Sequence, residues 1–259
     1  MSQTSNLRLD IGWKTDIGRV RQNNEDSVAA MPEVKLFILS DGMGGEAHGE
    51  VASQLAVETI AHHIRAVQEA AADSDATQGP GFSFATRQLA NAVCAANHKI
   101  FQSAQQTPGR HGMGATVVTA RIDGPEMSIV SVGDSRAYLF RDDVLEQLTE
   151  DHTLVAEQVR RGLITPEQAT KSRVQNVLVR ALGVRDEVEP DLFEEELHAG
   201  DIMLLCSDGL TRMVADDAIA GALRQGKSSQ GIADQLVAMA LDHGGEDNVS
   251  VIVLRVLAK

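Results

Sequence analysis

The sequence predicts a mixed fold in which apolar strands are combined with amphipathic helices. Two short apolar runs are typical of buried strands, because each is bounded by glycine. Leu36–Leu39 is followed by an Asp-Gly pair, and Ile202–Leu210 contains one near its end. Residues 49–69 and 83–104 repeat apolar side chains at helical spacing and are predicted as helices. Of the 259 residues, 43% are hydrophobic, which is enough to form a substantial core.

The remaining elements are predicted from the same two periodicities. Strands are expected over residues 7–13, 116–122, 127–140 (in two halves), 144–148 and 249–256. Helices are expected over residues 151–161, 216–224 and 229–242. A further helix is expected to begin at Thr165, where Pro166 and Gln168 complete a capping box. Residues 73–81 have the composition of a linker.

The region from about residue 151 to residue 182 is polar and more basic than the rest of the chain. Two interpretations are open: a flap near a functional site, or a helical insertion whose outer face is solvated. We expect residues 1–259 to form one domain, with this region as a subregion of it.

The charge of the chain limits its partners. The formal net charge is −14, whereas nucleic acids and anionic membranes select proteins rich in lysine and arginine. Cys94 and Cys206 are too few for a disulfide framework or a zinc site, and no segment has the length of a membrane span. We therefore expect a cytoplasmic protein that binds neither nucleic acid nor membranes. We also expect a monomer.

Four aspartates lie at strand ends, each beside a glycine or an asparagine. They are Asp41, Asp134, Asp208 and Asp247. Each of them could cap a turn independently. If all four converge, their burial and mutual repulsion require cations among them. A set of oxygen ligands favours Mg²⁺ or Mn²⁺ over zinc.

Two further features of the sequence fit such a site. Gly42 has no side chain, so its main-chain carbonyl could approach an ion beside the Asp41 carboxylate. The segment Arg21–Asp26 contains an arginine able to hold a phosphate, followed by two carboxylates, although a polar hairpin has the same composition. Two ions that share Asp41 could hold a bridging hydroxide for in-line attack on a phosphoryl group.

Seven motifs together resemble a known family. They are Arg21–Asp26, Asp41–Gly45, Gly49–Ser53, Gly112–Gly114, Gly133–Arg136, Ser207–Leu210 and Asp247-Asn248. In order and spacing they are similar to the motifs of PPM/PP2C-type metal-dependent Ser/Thr protein phosphatases of the bacterial branch. The resemblance covers about residues 8–257. It implies an α+β fold, a four-layer α-β-β-α sandwich with two central, mainly antiparallel sheets and a metal centre at one end.

The resemblance also implies roles for individual residues. The implied metal ligands are Asp26 (through water), Asp41 (bridging), Gly42 (through its carbonyl), Asp134, Asp208 and Asp247. Asp134, with Asp208, would form a third and weaker site beside two Mn²⁺ or Mg²⁺ ions. Arg21 would bind the substrate phosphate, and Glu25 and Asn248 would lie behind the ligands.

The implied reaction is hydrolysis of phosphoserine or phosphothreonine on proteins by a water or hydroxide that bridges two ions, without a covalent phosphoenzyme. The implied partners are phosphorylated proteins, the substrates of a cognate Ser/Thr kinase. The alternative is a non-catalytic relative that only binds phosphoproteins. Such a relative is expected to lack a metal ligand, and none is missing from this sequence. The resemblance also favours the flap interpretation of residues 151–182.

Two positions depart from the family pattern and concern the proton donor to the leaving group. Met43 stands where eukaryotic members have a histidine, and Glu46 stands where many bacterial relatives have one. We hypothesise that a metal-bound water near Asp134 donates the proton, with His48 as the second candidate. The run Ser172–Asn176 also replaces a segment that contains His-Pro in many relatives.

Two other interpretations fit less well. Gly42–Ala47 matches a dinucleotide-binding fingerprint after a strand, but Asp41 and Glu46 would repel a pyrophosphate. Gly133–Ser135 is similar to the motif of Gly-Asp-Ser esterases, but the sequence contains no Asp-x-x-His partner for a nucleophilic serine.

Overall fold

The computed structural model describes residues 7–44, 48–71, 81–107, 112–226 and 228–258. The strands are β1 Arg8–Asp16, β2 Asp26–Met31, β3 Leu36–Met43, β4 Gly114–Ala115, β5 Val117–Asp123, β6 Glu126–Val132, β7 Arg136–Arg141, β8 Val144–Gln147, β9 Asp191–Glu196, β10 Ile202–Cys206 and β11 Val249–Leu257. The helices are α1 His48–Ala71, α2 Phe84–Gln106, α3 Leu154–Arg160, α4 Pro166–Ala169, α5 Asp208–Thr211, α6 Asp216–Gln225 and α7 Ser229–Asp242. Within the described ranges, none of the helices combines the length and apolarity needed to cross a membrane.

The strands form two antiparallel sheets. The first sheet has the order β1-β11-β10-β7-β8, and the second has the order β2-β3-β5-β6-β9 with the short β4 paired to β3. The register of the second sheet places Asp26 of β2 directly opposite Asp41 of β3. Two carboxylates from successive motifs therefore become neighbours in space.

Three clusters of buried apolar side chains hold four layers together. In β3, Leu36 and Ile38 pack against α1 and α2, whereas Phe37 and Leu39 pack between the two sheets. Helices α6 and α7 cover the outer face of the first sheet through a cluster that includes Leu236. Central strands are apolar on both faces because successive side chains point alternately to a helix layer and to the other sheet. The predicted α-β-β-α sandwich is confirmed.

The structure corrects the predicted elements at three places. Strand β10 ends at Cys206 instead of Leu210, because Asp208 begins the one-turn helix α5. Strands β2 and β9 are not predicted from the sequence. Both lie at edges of the second sheet and are only partly buried, so their apolar alternation is weak. Residues 73–80 of the predicted linker lie outside the described residues.

The segment between β8 and β9 leaves the sandwich and returns to it. It contains α3 and α4, and the predicted capping box at Thr165 is present. One isolated bridge pairs Thr153 with Leu178 and joins the two arms of the segment to each other, and a second pairs Leu182 with Ala115 of β4 and joins the segment to the second sheet. The predicted excursion over residues 151–182 is therefore a short helical region anchored beside the end of β3.

Candidate metal centre

A cleft of about 530 Å³ lies where β3 and β10 end and β11 begins. All of the predicted site residues except Asp26 and His48 line this cleft. The lining residues among them are Arg21, Glu25, Asp41, Gly42, Asp134, Asp208, Asp247 and Asn248. The two antiparallel sheets thus bring carboxylates from four distant parts of the chain to one cavity.

Asp26 lies behind this cleft. It is 8% exposed, and its Oδ2 accepts a hydrogen bond from Ser207 Oγ at 2.9 Å. Its Oδ1 has no hydrogen-bond partner among the described residues. Burial, with smaller contributions from the charges of Asp208 and Asp247, raises the pKa of Asp26 to about 7.

Burial and mutual repulsion act on the other carboxylates in the same way. Burial is the largest cause of the raised pKa values of Asp41, Asp134 and Asp208, and the pKa of Asp134 rises to about 7. The charges of Asp26, Asp208, Asp134 and Asp247 raise the pKa of Asp41 further. The carboxylates are therefore close enough to need a shared positive charge.

Two arginines supply part of that charge. Arg21 donates from Nη2 to Asp247 Oδ2 at 2.8 Å. Arg212 places Nη1 3.3 Å from Asp208 Oδ2 and 3.4 Å from Asp247 Oδ2. Sequence reasoning missed Arg212 because it extended β10 as far as Leu210. The signal is the spacing: in a helix that begins at Asp208, a residue four positions later lies beside it.

The chemistry of the cluster fits a divalent cation. All the predicted ligand atoms are oxygens, and Asp26 Oδ1 and Asp208 Oδ1 are buried without a hydrogen-bond partner in the described ranges. Among the described residues, no three His, Cys, Asp or Glu side chains already stand as ligands of one ion. Asp208 Oδ2 and Asp247 Oδ2 face arginines instead. Buried, unpaired carboxylate oxygens with raised pKa values are groups that Mg²⁺ or Mn²⁺ stabilises.

The glycine after each Ser-Asp pair is required by packing. A Cβ on Gly42 would lie 2.0 Å from the carbonyl oxygen of Gly49 at the start of α1. A Cβ on Gly209 would lie 1.9 Å from the carbonyl oxygen of Asn248. Neither backbone has room for a side chain, so these contacts explain the two glycines independently of any ligand.

Asn248 ties the loop that carries Arg21 to the start of β11. Its Oδ1 accepts a hydrogen bond from the Glu25 N–H at 2.8 Å. Its Nδ2 donates to the carbonyls of Ile17 and Asn23, each at 2.9 Å. The Glu25 carbonyl in turn accepts a hydrogen bond from the Gly42 N–H at 3.1 Å. The buried amide therefore joins the loop, β11 and β3.

His48 begins helix α1 and is partly buried. It is not among the described residues that line the cleft. Glu46, the other position that departs from the family pattern at this place, lies outside the described residues. A role for His48 as proton donor stays a prediction.

The excursion over residues 151–182 lies beside the cleft. Asn176 and Leu178 line it, and a second cavity of about 220 Å³ lies between the excursion and α5. Four residues line both cavities: Asp134, Asn176, Asp208 and Arg212. The excursion is therefore a neighbour of the cleft, and its role as a flap stays a prediction.

His152, which sequence reasoning did not single out, supports the turn that carries Asp134. It is 2% exposed, and its Nδ1 accepts a hydrogen bond from the Gly133 N–H at 3.0 Å. The ring proton is therefore on Nε2, which lies 2.9 Å from Asp191 Oδ2. Burial lowers the pKa of His152, so the ring is neutral. The imidazole joins the turn after β6 to the start of β9.

Comparison with known proteins agrees with this geometry. The chain matches the family described as Protein phosphatase 2C over residues 18–240. It is 37% identical over 245 residues to the serine/threonine phosphatase stp of Listeria innocua, across 93% of this chain and 94% of that protein. The chain belongs to the protein phosphatase 2C family. The membership predicted from the ordered motifs is confirmed.

A second relative of this protein phosphatase 2C chain is longer. The serine/threonine protein phosphatase PstP of Mycobacterium tuberculosis is 42% identical over 251 residues, across 97% of this chain and 46% of PstP. The chain thus spans about half the length of that relative. A solved structure of the catalytic domain of PstP in complex with 2 manganese ions is 40% identical, covers 98% of this chain and 100% of that chain, and has a TM-score of 0.83.

Proposed function

We propose that this chain is a metal-dependent phosphatase that hydrolyses phosphoserine and phosphothreonine on proteins. The observation that carries the proposal is the cleft in which Arg21 faces the partly buried carboxylates Asp41, Asp208 and Asp247. The relatives named serine/threonine phosphatases support it, since two of them match nearly the whole of this chain. All the predicted metal ligands are present in the described residues, which favours an enzyme over the non-catalytic alternative.

Arg21 is placed to receive the substrate phosphate. Its side chain is 53% exposed, and one Nη2 hydrogen bond to Asp247 orients it toward the cleft. The rest of the guanidinium is able to donate to phosphate oxygens in the paired geometry that arginine favours. Asp247 raises the pKa of Arg21, which therefore stays charged as the substrate binds.

The carboxylates would hold two Mn²⁺ or Mg²⁺ ions, with Asp41, the Gly42 carbonyl, Asp208 and Asp247 as ligands and Asp26 acting through water. When bound, these ions would supply the positive charge that polarises both the phosphoryl group and the attacking water. Glu25 and Asn248 keep the ligand-bearing loops together. The proton for the leaving group comes, in our hypothesis, from a water near Asp134, with His48 as the second candidate.

We further propose that the substrates are phosphoproteins made by a cognate Ser/Thr kinase, and that residues 1–259 act as one domain with residues 151–182 as a flap. The net charge of −14 argues against nucleic acid and anionic membranes as partners. Cys94 and Cys206 are both free, which agrees with a reducing, cytoplasmic compartment. A monomer is expected, and light scattering at several protein concentrations measures it.

The test is hydrolysis of a phosphothreonine peptide during a titration with Mn²⁺. We expect no turnover with a chelator and a rise with added Mn²⁺. Asp41→Asn and Asp208→Asn should each lower turnover by about 100-fold or more. The matched control is Asp234→Asn, which removes an exposed carboxylate paired with Lys14 outside the cleft and should leave turnover near the wild-type value.

Two outcomes would contradict the proposal. A wild-type chain that binds the phosphopeptide but stays silent at every Mn²⁺ concentration would favour the non-catalytic alternative. Full turnover in Asp41→Asn would show that the carboxylate cluster is not the site of the reaction.

A further inference from the structure

A groove of about 670 Å³, here called the side groove, adjoins the metal cleft. Three residues, Met43, Asn176 and Leu178, line both the side groove and the cleft of about 530 Å³. Met43 directly follows Gly42, one of the predicted metal ligands. The side groove therefore begins at the edge of the metal centre.

The surface of the side groove is apolar and open to solvent. Val179 and Val184 line it and are 48% and 50% exposed. A Cβ built on Gly114 would lie 2.7 Å from Met43 Cε and 3.2 Å from Val184 Cγ2, so these two methyl groups meet over the glycine. Exposed valines beside a cleft are costly in water, and a bound apolar group would cover them.

The wall of the side groove is held in place by buried contacts. Leu182 is 0% exposed, and it exchanges two backbone hydrogen bonds with Ala115, at 2.8 and 3.1 Å. Asn97 of α2 is 1% exposed; its Oδ1 accepts from the Gly183 N–H at 2.8 Å, and its Nδ2 donates to the Arg185 carbonyl at 3.1 Å. The backbone on both sides of Val184 is therefore fixed, and the groove is formed before anything binds to it.

The charged side chains of the side groove do not form a second anion site. Arg180 donates from Nη1 to Asp191 Oδ1 and to the Glu189 carbonyl, so its charge is already paired. Arg185 also lines the groove, but Glu187 and Glu189 line it as well and would repel a phosphate or a carboxylate. The chemistry of the side groove thus favours an uncharged, apolar occupant.

We propose that the side groove holds an apolar side chain next to the phosphorylated residue of a protein substrate. The inference rests on the proposed function, because it assumes that the phosphate lies among Asp41, Asp208 and Asp247. An extended chain advances about 3.3 Å per residue, so the residues next to the phosphorylated one pass over the groove that adjoins the cleft. The favoured substrates are then phosphoproteins with leucine, isoleucine, valine or methionine beside the phosphoserine or phosphothreonine.

The experiment compares kcat/KM for two phosphothreonine peptides in the presence of Mn²⁺. They differ only at the two positions on each side of the phosphothreonine, which are leucine in one peptide and serine in the other. Both peptides carry the same charge, so the net charge of −14 affects them equally. The wild type should prefer the leucine peptide by about 5- to 10-fold, the effect of burying about half of one leucine side chain.

Val184→Asp should reduce this preference to about 2-fold or less, because a carboxylate in the groove would have to be desolvated by the leucine. Val179→Asp is a second variant at the same surface, with the same expected result. The matched control is Val144→Asp, which adds the same charge at a 64% exposed valine of β8 outside the side groove and should keep the wild-type preference.

Equal kcat/KM for the two peptides in the wild type would overturn this inference and leave the phosphatase function intact. A leucine preference that survives in both groove variants would place the apolar contact elsewhere and would also overturn it. Concentration-dependent association of the wild type in light scattering, lost in Val184→Asp and without any peptide preference, would assign the groove to a second copy of the chain instead. No turnover of either peptide at any Mn²⁺ concentration would overturn the proposed function, and this inference with it.

Discussion

Replacing Asn248 by alanine removes one buried amide that joins three parts of the metal centre. Asn248 is 5% exposed, and its side chain makes three hydrogen bonds, one from the Glu25 N–H and two to the carbonyls of Ile17 and Asn23. A buried hydrogen bond contributes about 1 kcal/mol to the free energy of unfolding. We therefore expect Asn248→Ala to lower that free energy by about 3 kcal/mol.

The assay is urea unfolding of the metal-free protein, followed by Mn²⁺ titration of the folded variant. Because Asp247 directly precedes Asn248, its carboxylate loses a fixed position, and Mn²⁺ affinity should fall by about 10- to 100-fold. The control is Asn176→Ala, which deletes the same group from an exposed residue at the cleft. Its free energy of unfolding should change by about 0.5 kcal/mol or less. If the free energy of unfolding of Asn248→Ala differs from that of the wild type by no more than this amount, the amide does not hold the loop and the reasoning is wrong.

Three further predictions concern individual residues. Gly42→Ala should destabilise the fold by about 3 kcal/mol because the added Cβ would clash with the Gly49 carbonyl. The control Gly221→Ala, at an open position in α6, should instead stabilise the fold by about 0.5–1 kcal/mol. Equal effects of the two substitutions in urea unfolding would contradict the packing argument. Burial lowers the pKa of His152 in the folded protein, so as the pH falls below about 6.5 the unfolded chain takes up a proton on His152 first, and the free energy of unfolding decreases. His152→Gln should remove this contribution to the loss of stability between pH 8 and pH 5. If the free energy of unfolding of the variant falls with pH as steeply as that of the wild type, the prediction is wrong. His48→Ala should keep most of its turnover on a phosphoserine peptide; a loss of roughly 100-fold or more, with Mn²⁺ affinity unchanged, would make His48 the proton donor.

Local pattern was sufficient for most of the fold. The helices α1 and α2 and the strands β3 and β11 are long or strongly apolar, so their periodicity is visible in a short window of sequence. The edge strands β2 and β9 were missed because each pairs on one side only and is partly exposed. For β10, the apolar run concealed the helix α5, and with it the position of Arg212.

The sequence by itself determined which side chains carry the chemistry: acidic residues at strand ends, an arginine before them and glycines where no Cβ fits. Only the tertiary structure decided which of these groups meet. Asp26 lies opposite Asp41 through strand pairing, and it accepts a hydrogen bond from Ser207, 181 positions away in the chain. No local pattern reports such a contact, because it depends on how two sheets stack and not on the residues beside it. The same holds for His152, which supports the Asp134 turn from a segment that is polar and irregular in sequence.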